Sequence, residues 1–360
     1  MDRLMDLWIV LAALFLLWGC KPVHPFSSLY GDALSAENCL PLRGFCAVMV
    51  ALHHISQQTE AGQFFRIFLY ISSFLVAAFF FLSGYGLMRQ TMRDPDYGRG
   101  FLRRRLPPIA AMWLFSLLLF WLVHLTNGEH ISLTGIFALT FKGDPFLVIL
   151  WYVPVILGAY LAFGLLLHVF AGKKERILLG MALLWLVYAA AGLALGIGQW
   201  WFDSCHLLPV GMGWALYEEN IQKRLERGRP YWFAMAVSAL GFALLFQFFD
   251  PIFALWPTAW MRYAISAVRS LCFTLALVLA SMKLRFRNAV SVWLGKISFE
   301  FYLLHGVLLL LFHGTLIPIQ SDFLYAACVL AFGALLAAAV HIPYQRLNRR
   351  YRSFLQSRGL

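Results

Sequence analysis

Long apolar segments fill this chain and limit the folds open to it. Charged residues make up only 13% of the 360 residues, against about a quarter in a soluble domain. Eleven segments are each close to the roughly 20 residues that cross a bilayer as a helix. They lie near 4–20, 40–57, 64–88, 106–126, 146–170, 177–198, 203–217, 231–249, 260–281, 289–312 and 321–342. The sequence therefore predicts an all-α fold, a polytopic membrane helical bundle of about 10–11 transmembrane helices.

The positive charges are unevenly shared between the connections, and this asymmetry predicts the orientation of the chain. Lys and Arg are concentrated in alternate connections, and the connections between these are nearly bare. The basic ones are 89–105, 173–176, 223–229 and 283–287, together with the end of the chain at 346–358. If each segment crosses once, all of them lie on one side, which the positive-inside rule makes the cytoplasm. The C-terminus is then cytoplasmic and the N-terminus outside, and the membrane is the cell (plasma or inner) membrane. A net charge of +12 suggests a nucleic-acid partner at first sight, but its concentration in alternate connections is the pattern of a membrane protein, so no nucleic-acid partner is predicted.

The first segment, 4–20, has a second interpretation as a signal peptide, which would be of the lipoprotein kind if it ended at "LLWGC" (16–20). Its first six residues carry no net charge, and Trp18 fits poorly beside a cleavage site, so an uncleaved helix is favoured. The prediction is one transmembrane domain over 1–342, with 4–20 as an accessory helix before a ten-span core at 40–342. A basic cytoplasmic tail follows at 343–360.

The segment "LPLRGFCAVMVALHHIS" (40–56) carries charge where lipid or core is expected. Charge in lipid is costly and usually functional. Arg43 and His54 are eleven residues apart, so they share one helix face about 16 Å apart, and His53 points roughly 80° away. An interfacial arginine and a structural, hydrogen-bonded histidine would give the same pattern, and the spacing alone leaves both interpretations open.

Two other segments carry small or cationic residues at their ends. Ser83 and Gly84 lie in "FFFLSGYGLM" (79–88), where small residues also permit close helix packing. Arg103, Arg104 and Arg105 lie in "GRGFLRRRLPPIAAMW" (98–113), where they also anchor the topology.

The six cysteines show no CxxC spacing, so the sequence predicts neither a disulfide framework nor a metal site.

Three ionisable residues lie inside later spans. Glu300 and His305 belong to "LGKISFEFYLLHGVLLLL" (294–311), but they are 500° apart and do not share a face. Glu300 lies at a depth similar to that of His54, which permits a carboxylate–imidazole pair. A structural hydrogen bond between helices is the alternative. Arg269, in 260–281, is a further buried cation without an obvious partner.

Taken in order, five motifs resemble acyltransferase family 3, the multi-span membrane O-acyltransferases of cell-surface glycans. They are "PLRGFCAVMVALHH", "FFFLSGYGL", "FLRRRLPP", "LWYVPVILGAY" and "ISFEFYLLH", spread over residues 40 to 305. "HIPYQRLNRR" (341–350) resembles the closing segment of the family. The chain departs from the family in having three consecutive arginines where Arg-x-x-Arg is common, and in having a helix before the core.

The resemblance implies transfer of an acyl group, most commonly acetyl, from acyl-CoA on the cytoplasmic side to a hydroxyl at or beyond the outer face. The acceptor would be a cell-surface polysaccharide, a lipid-linked glycan or a similar glycoside. His54 would be the essential histidine and Arg43 its motif partner, with Glu300 as a third catalytic candidate. The cluster Arg103–Arg105, with Ser83 and Gly84, would bind the donor.

Elementary chemistry agrees with these assignments. A hydroxyl needs a base to become a nucleophile, and imidazole titrates near the operating pH. Guanidinium groups bind phosphates such as those of coenzyme A in a bidentate manner. The alternative is a multi-span transporter or flippase for a small polar or glycan substrate, since buried Arg, Glu and His also line solute pathways. No inverted repeat supports that alternative.

Overall fold

The computed structural model describes residues 4–23, 29–170 and 173–358, and these residues are almost entirely helical. This confirms the predicted all-α class. The described strands are β1 (Lys21–Pro22) and β2 (Leu284–Arg285), which pair antiparallel. The helices are α1 (Leu7–Leu17), α2 (Cys39–Ser56), α3 (Ser72–Arg93), α4 (Phe101–Thr126), α5 (Leu133–Lys142), α6 (Tyr152–Phe170), α7 (Lys174–Ala194), α8 (Leu207–Leu216), α9 (Glu218–Leu225), α10 (Arg229–Gln247), α11 (Phe249–Leu255), α12 (Ala259–Lys283), α13 (Ala289–Lys296), α14 (Ser298–His313) and α15 (Asp322–Ser357).

Within the described ranges, eight helical segments are long and apolar enough to cross a membrane, so the protein is a multi-pass membrane protein. The predicted span 289–312 is not one straight helix, because α13 and α14 meet at an angle of 82°. Counted as one crossing, that pair makes nine. The other two of the eleven predicted spans, 4–20 and 203–217, are the short helices α1 and α8, of 11 and 10 residues. The short helix α5 was not predicted.

Although α8 is short, it and its flanking turns extend across most of the thickness of the bundle. It runs beside α3 in the same direction. At one end, the Ser204 hydroxyl donates to the carbonyl of Ser73 at 2.9 Å. At the other, Glu218 accepts from the Tyr85 hydroxyl at 2.8 Å and pairs with Arg89 at 3.2 Å. Sixteen residues of α3 separate Ser73 from Arg89, about 24 Å along the helix axis. Short α8 and its flanking turns therefore cover nearly the thickness of a hydrocarbon core.

Two glycines let α3 and α8 approach this closely. A Cβ atom at Gly84 would collide with the backbone carbonyl of Leu208, and one at Gly211 would collide with that of Phe81. Each glycine thus contacts the residue that lies three positions before the glycine of the other helix. Reciprocal glycine contacts of this kind bring helix backbones together in membranes, where dispersion rather than hydrophobic burial favours packing.

The basic connections gather at one end of the bundle, here called the basic end. The bonds that join them are Arg89–Glu218, Gln222–Gly31, Arg285–Asp32 and Tyr351–Arg103. The other end holds the loops after α2, α4 and α14, linked by bonds such as Asn127–Thr315 and Ala61–Asp322. The alternation of rich and bare connections in the sequence therefore corresponds to two ends of the molecule.

The predicted last span and the predicted basic tail form one continuous helix. α15 runs over 36 residues from Asp322 to Ser357, with Pro343 inside it. Its basic part lies along α4, where the Tyr344 hydroxyl donates to the carbonyl of Pro108 at 3.2 Å and that of Tyr351 to Arg103 at 3.1 Å. Residues 359 and 360 of the predicted tail lie outside the described residues.

The centre of the bundle is built around α2 and α14. α2 is 78% buried over its apolar window, against 11% for α10 at the periphery. Within α14, all but two of the residues from Phe301 to His313 are buried. The fold therefore places the segment that carries Arg43 and His54 in the interior of the protein.

Candidate active site

Two histidines from distant parts of the chain meet in the interior. Nδ1 of His54, on α2, lies 2.9 Å from Nε2 of His305, on α14. The two rings are nearly parallel, at 19°, with centroids 5.1 Å apart. Nδ1 of His305 lies 3.1 Å from the carbonyl oxygen of Phe301, one turn earlier in the same helix. His305 is fully buried and His54 is 6% exposed.

His53 has a different environment, as the helical phase predicts. Its Nδ1 donates to the carbonyl of Phe68 at 2.8 Å, and this bond ties α2 to the short 3-10 helix Phe65–Tyr70. The His53 ring lies edge-on to His54, 5.0 Å away. His53 is thus bound to the backbone, while His54 is bound to another side chain.

Glu300 does not meet His54. Its carboxylate pairs with Nδ1 of His341, on α15, at 2.8 Å, and Glu300 is 2% exposed. Glu300 and His305 project from different faces of α14, which agrees with the 500° between them. The pair of Glu300 with His54 that similar depth permitted is therefore not formed, and the observed contact is the alternative, a hydrogen bond between helices.

A cavity of about 880 Å³ runs inward from the basic end. Arg89 and Arg93 lie in its outer part, and Tyr152 and Tyr302 lie in its inner part. Its size is in the range of pockets that hold a large ligand. The break between α13 and α14 adjoins it, since Ser298 and Phe299 in the first turn of α14 belong to its lining.

The lining is positively charged. Four arginines contribute to it, Arg43, Arg89, Arg93 and Arg105, and no carboxylate does among the described residues. Glu218 lies behind the wall, where it pairs with Arg89. The N-terminal end of α14 adds the partial positive charge of a helix start. The cavity is therefore suited to a ligand with several negative charges.

The predicted donor-binding residues divide into two groups. Ser83 and Arg105 line the cavity. Arg103 is exposed, Arg104 donates to the carbonyl of Tyr97 at 2.8 Å, and neither lines the cavity. Gly84 lies at the contact with α8. It therefore has the role in close helix packing that was the alternative interpretation of this residue.

Tyr302 connects the cavity with the histidine pair, because it lines the cavity and its ring lies near that of His305. Tyr302 has its ring centroid 6.2 Å from that of His305 and 5.7 Å from that of Tyr152. The Tyr302 hydroxyl donates to the carbonyl of Ile149 at 2.5 Å. His54 is not part of the cavity lining.

Sequence reasoning missed several of these residues. His305 was noted but given no partner, and the cavity tyrosines at 85, 152, 160 and 302 received no role. A signal was present in the spacing of Ser298, Tyr302 and His305, which repeats at helical intervals of four and three. Among the described residues, no three His, Cys, Asp or Glu side chains are grouped as metal ligands would be.

Arg269 lies outside this site. Its guanidinium carbon is 4.9 Å from the ring centroid of Phe74 and 4.7 Å from that of Phe249, a cation–π sandwich. The buried carboxylate of Asp203 contributes electrostatic stabilisation. These contacts account for a cation that the sequence left without a partner.

An interior His pair and an arginine-lined cavity lie inside a multi-pass helical bundle, and the comparison with protein families gives the class of protein. The family model of the acyltransferase domain, acyltransferase family 3, matches residues 42–342. The chain belongs to this family. No curated protein and no solved structure is similar enough to the chain to count as a match.

Proposed function

We propose that this protein is a membrane O-acyltransferase that moves an acyl group, acetyl in the simplest case, from acyl-CoA to a hydroxyl. The acceptor is a cell-surface polysaccharide, a lipid-linked glycan or a similar glycoside. The observation that carries the proposal is the cavity of about 880 Å³, lined by four arginines, that leads from the basic end toward the His54–His305 pair.

The proposed binding site for the acyl donor is argued from charge. Coenzyme A carries several phosphate charges, which are costly to bring into an apolar interior without partners. Arg43 and Arg105 offer planar guanidinium groups at the cavity wall, and such groups bind phosphate through paired hydrogen bonds. By the positive-inside rule the basic end faces the cytoplasm, which is where acyl-CoA is available.

The chemical step rests on His54. In the proposed reaction an imidazole nitrogen of His54 takes the proton of the acceptor hydroxyl, whose oxygen forms a bond to the thioester carbonyl carbon. The carbon–sulfur bond then breaks, and coenzyme A leaves as its thiol after receiving that proton. A positioned base of this kind typically contributes about 10²–10⁴-fold to a rate.

The test uses purified protein in lipid nanodiscs with acetyl-CoA and glycans or glycolipids extracted from the host envelope. We expect release of free thiol together with acetyl incorporation into the extract. His54→Ala should abolish both, whereas His53→Ala, the matched control, should keep most of the activity because His53 bonds only to backbone.

Two results would contradict the proposal. Uptake of a glycan into sealed vesicles without thiol release would favour the transporter alternative. Full thiol release by His54→Ala, in protein that is still folded, would remove His54 from the chemistry.

A further inference from the structure

We infer that His305 is a positioning residue, which holds His54 in the tautomer that carries its proton on Nδ1 and leaves Nε2 free to act as the base. This inference rests on the proposed function. The tautomer follows from two consecutive hydrogen bonds, in each of which the geometry defines the donor and the acceptor.

The chain begins at the carbonyl of Phe301. A carbonyl oxygen accepts hydrogen bonds and cannot donate them. Nδ1 of His305 lies 3.1 Å from this oxygen, so Nδ1 must carry the hydrogen. In a neutral imidazole the other nitrogen, Nε2, is then an acceptor.

The same logic passes to His54. Its Nδ1 lies 2.9 Å from Nε2 of His305, which can only accept, so Nδ1 of His54 must be the donor. Nε2 of His54 is left with a free lone pair, and no described residue is hydrogen-bonded to it. Both rings are neutral, because they are buried and the only carboxylate on α14, Glu300, is bound to His341.

Packing holds the partner ring in place. His305 is fully buried, and its ring stacks on Phe301 at 5.8 Å with an angle of 25°. Gly333, on α15, lies directly over these two residues, and a Cβ atom there would be 3.1 Å from the Phe301 ring and 3.6 Å from Cβ of His305. The bond between the histidines therefore joins two rings with little freedom to turn.

A neutral histidine in this place orients the base without adding charge to the interior. A carboxylate partner would need a compensating cation or would suffer a large desolvation cost. His305 fixes the orientation of the His54 ring and therefore of the lone pair on its Nε2. The proposed binding site for the donor phosphates lies at the basic end, away from His305. Loss of His305 should therefore lower kcat and leave the KM for acetyl-CoA unchanged.

The test compares His305→Phe with His305→Gln. Phe keeps the ring volume but removes the acceptor, whereas the Gln side-chain oxygen reaches about the position of Nε2 and can accept from His54 Nδ1. We expect His305→Phe to lower kcat by about 100-fold, with the donor KM within about twofold. His305→Gln should restore at least a tenth of the native kcat. The control is His53→Gln, which changes the histidine next to His54; this variant should have the native kcat.

A second measurement does not depend on activity. Nitrogen-15 NMR of histidine-labelled protein in bilayers reports which ring nitrogen is protonated, and the His54 signals are identified by their loss in His54→Ala. We expect Nδ1-protonated His54 in the native protein and in His305→Gln, and a shift toward the Nε2-protonated form in His305→Phe.

Nε2-protonated His54 in the native protein, or a native kcat in folded His305→Phe, would overturn the inference. If His305→Phe does not fold, His305→Gln and the native spectrum decide. The tautomer is measured even if His54 proves not to be the base, so failure of this inference and failure of the proposed function remain distinguishable.

Discussion

Three consecutive arginines at the start of α4 have three different environments, because a helix turns 100° per residue. Arg103 is exposed, and its backbone carbonyl accepts from Tyr351. Arg104 is bound to the carbonyl of Tyr97. Arg105 donates to the Tyr97 hydroxyl at 3.2 Å and lines the cavity. A cluster that looks uniform in the sequence therefore contains one residue, Arg105, that lines the cavity in which we propose that the donor binds.

Arg105→Ala should raise the KM for acetyl-CoA and leave kcat close to native. Loss of a hydrogen bond to a charged group costs roughly 1.5–3 kcal/mol, so the increase should be about 10- to 150-fold. Arg105→Lys should recover only part of it, because an ammonium lacks the planar fork. Arg43→Ala should behave as Arg105→Ala does. The measurement is a donor titration at fixed acceptor.

Arg103→Ala is the matched control for that titration, since its side chain is exposed and outside the cavity. Its donor KM should stay native. An unchanged donor KM in both Arg43→Ala and Arg105→Ala would mean that the cavity does not hold the donor phosphates.

At the scale of elements, two glycines only two residues apart in α3 have opposite surroundings. Gly84 is pressed against the backbone of α8, whereas a Cβ atom at Gly86 would meet no atom within 4 Å. The close contact of α3 and α8 is what brings Tyr85 and Arg89 to Glu218 and thereby shapes the outer part of the cavity. In "SGYG", the first glycine is thus required for helix packing, whereas the second faces open space.

Gly84→Ala should destabilise the protein, because the added methyl collides with a backbone carbonyl that has no side-chain freedom to yield. Overpacking of this kind typically costs about 1–3 kcal/mol. Gly86→Ala should be neutral or stabilising by up to about 1 kcal/mol, since alanine favours helix over glycine. Thermal unfolding of both variants in the same detergent measures the difference. Equal unfolding midpoints would show that α8 can move away from α3 without cost.

At the scale of the whole molecule, the gathered basic connections give the bundle a direction. Bonds between these connections, such as Arg285–Asp32 and Gln222–Gly31, hold them together at one end of the fold. The N-terminus of α2 and the inner half of the cavity are reached from that end. The orientation in the membrane therefore decides from which side a ligand enters the cavity.

Single cysteines introduced into 89–105, 223–229 or 283–287 should resist an impermeant maleimide in intact cells. Cysteines in 127–142 or 313–320 should label, because these connections lie at the other end of the bundle. The parent chain with its six native cysteines gives the background, and permeabilised cells give the full signal. Labelling of 89–105 in intact cells would reverse the orientation and the side of donor entry.

Much of this protein follows from one-dimensional patterns. Apolar runs of membrane length predict the helices, and unequal loop charge predicts which connections share an end. The spacing of Arg43 and His54 predicts a shared face on α2, and His53 is indeed bound elsewhere, to Phe68. These inferences succeed because bilayer thickness, helical period and the cost of moving charge through lipid act on local sequence.

Only the tertiary structure decided which side chains meet. Depth permitted a pair of Glu300 with His54 and suggested no partner for His305, yet Glu300 bonds to His341 and His305 bonds to His54. The bend of 82° between α13 and α14 and the depth reached by short α8 were likewise hidden in apolar runs of ordinary appearance. The physical reason is that helix rotation and close packing are determined jointly by several elements, through contacts such as Gly84 on α8 and Gly333 on His305, and no single segment encodes them.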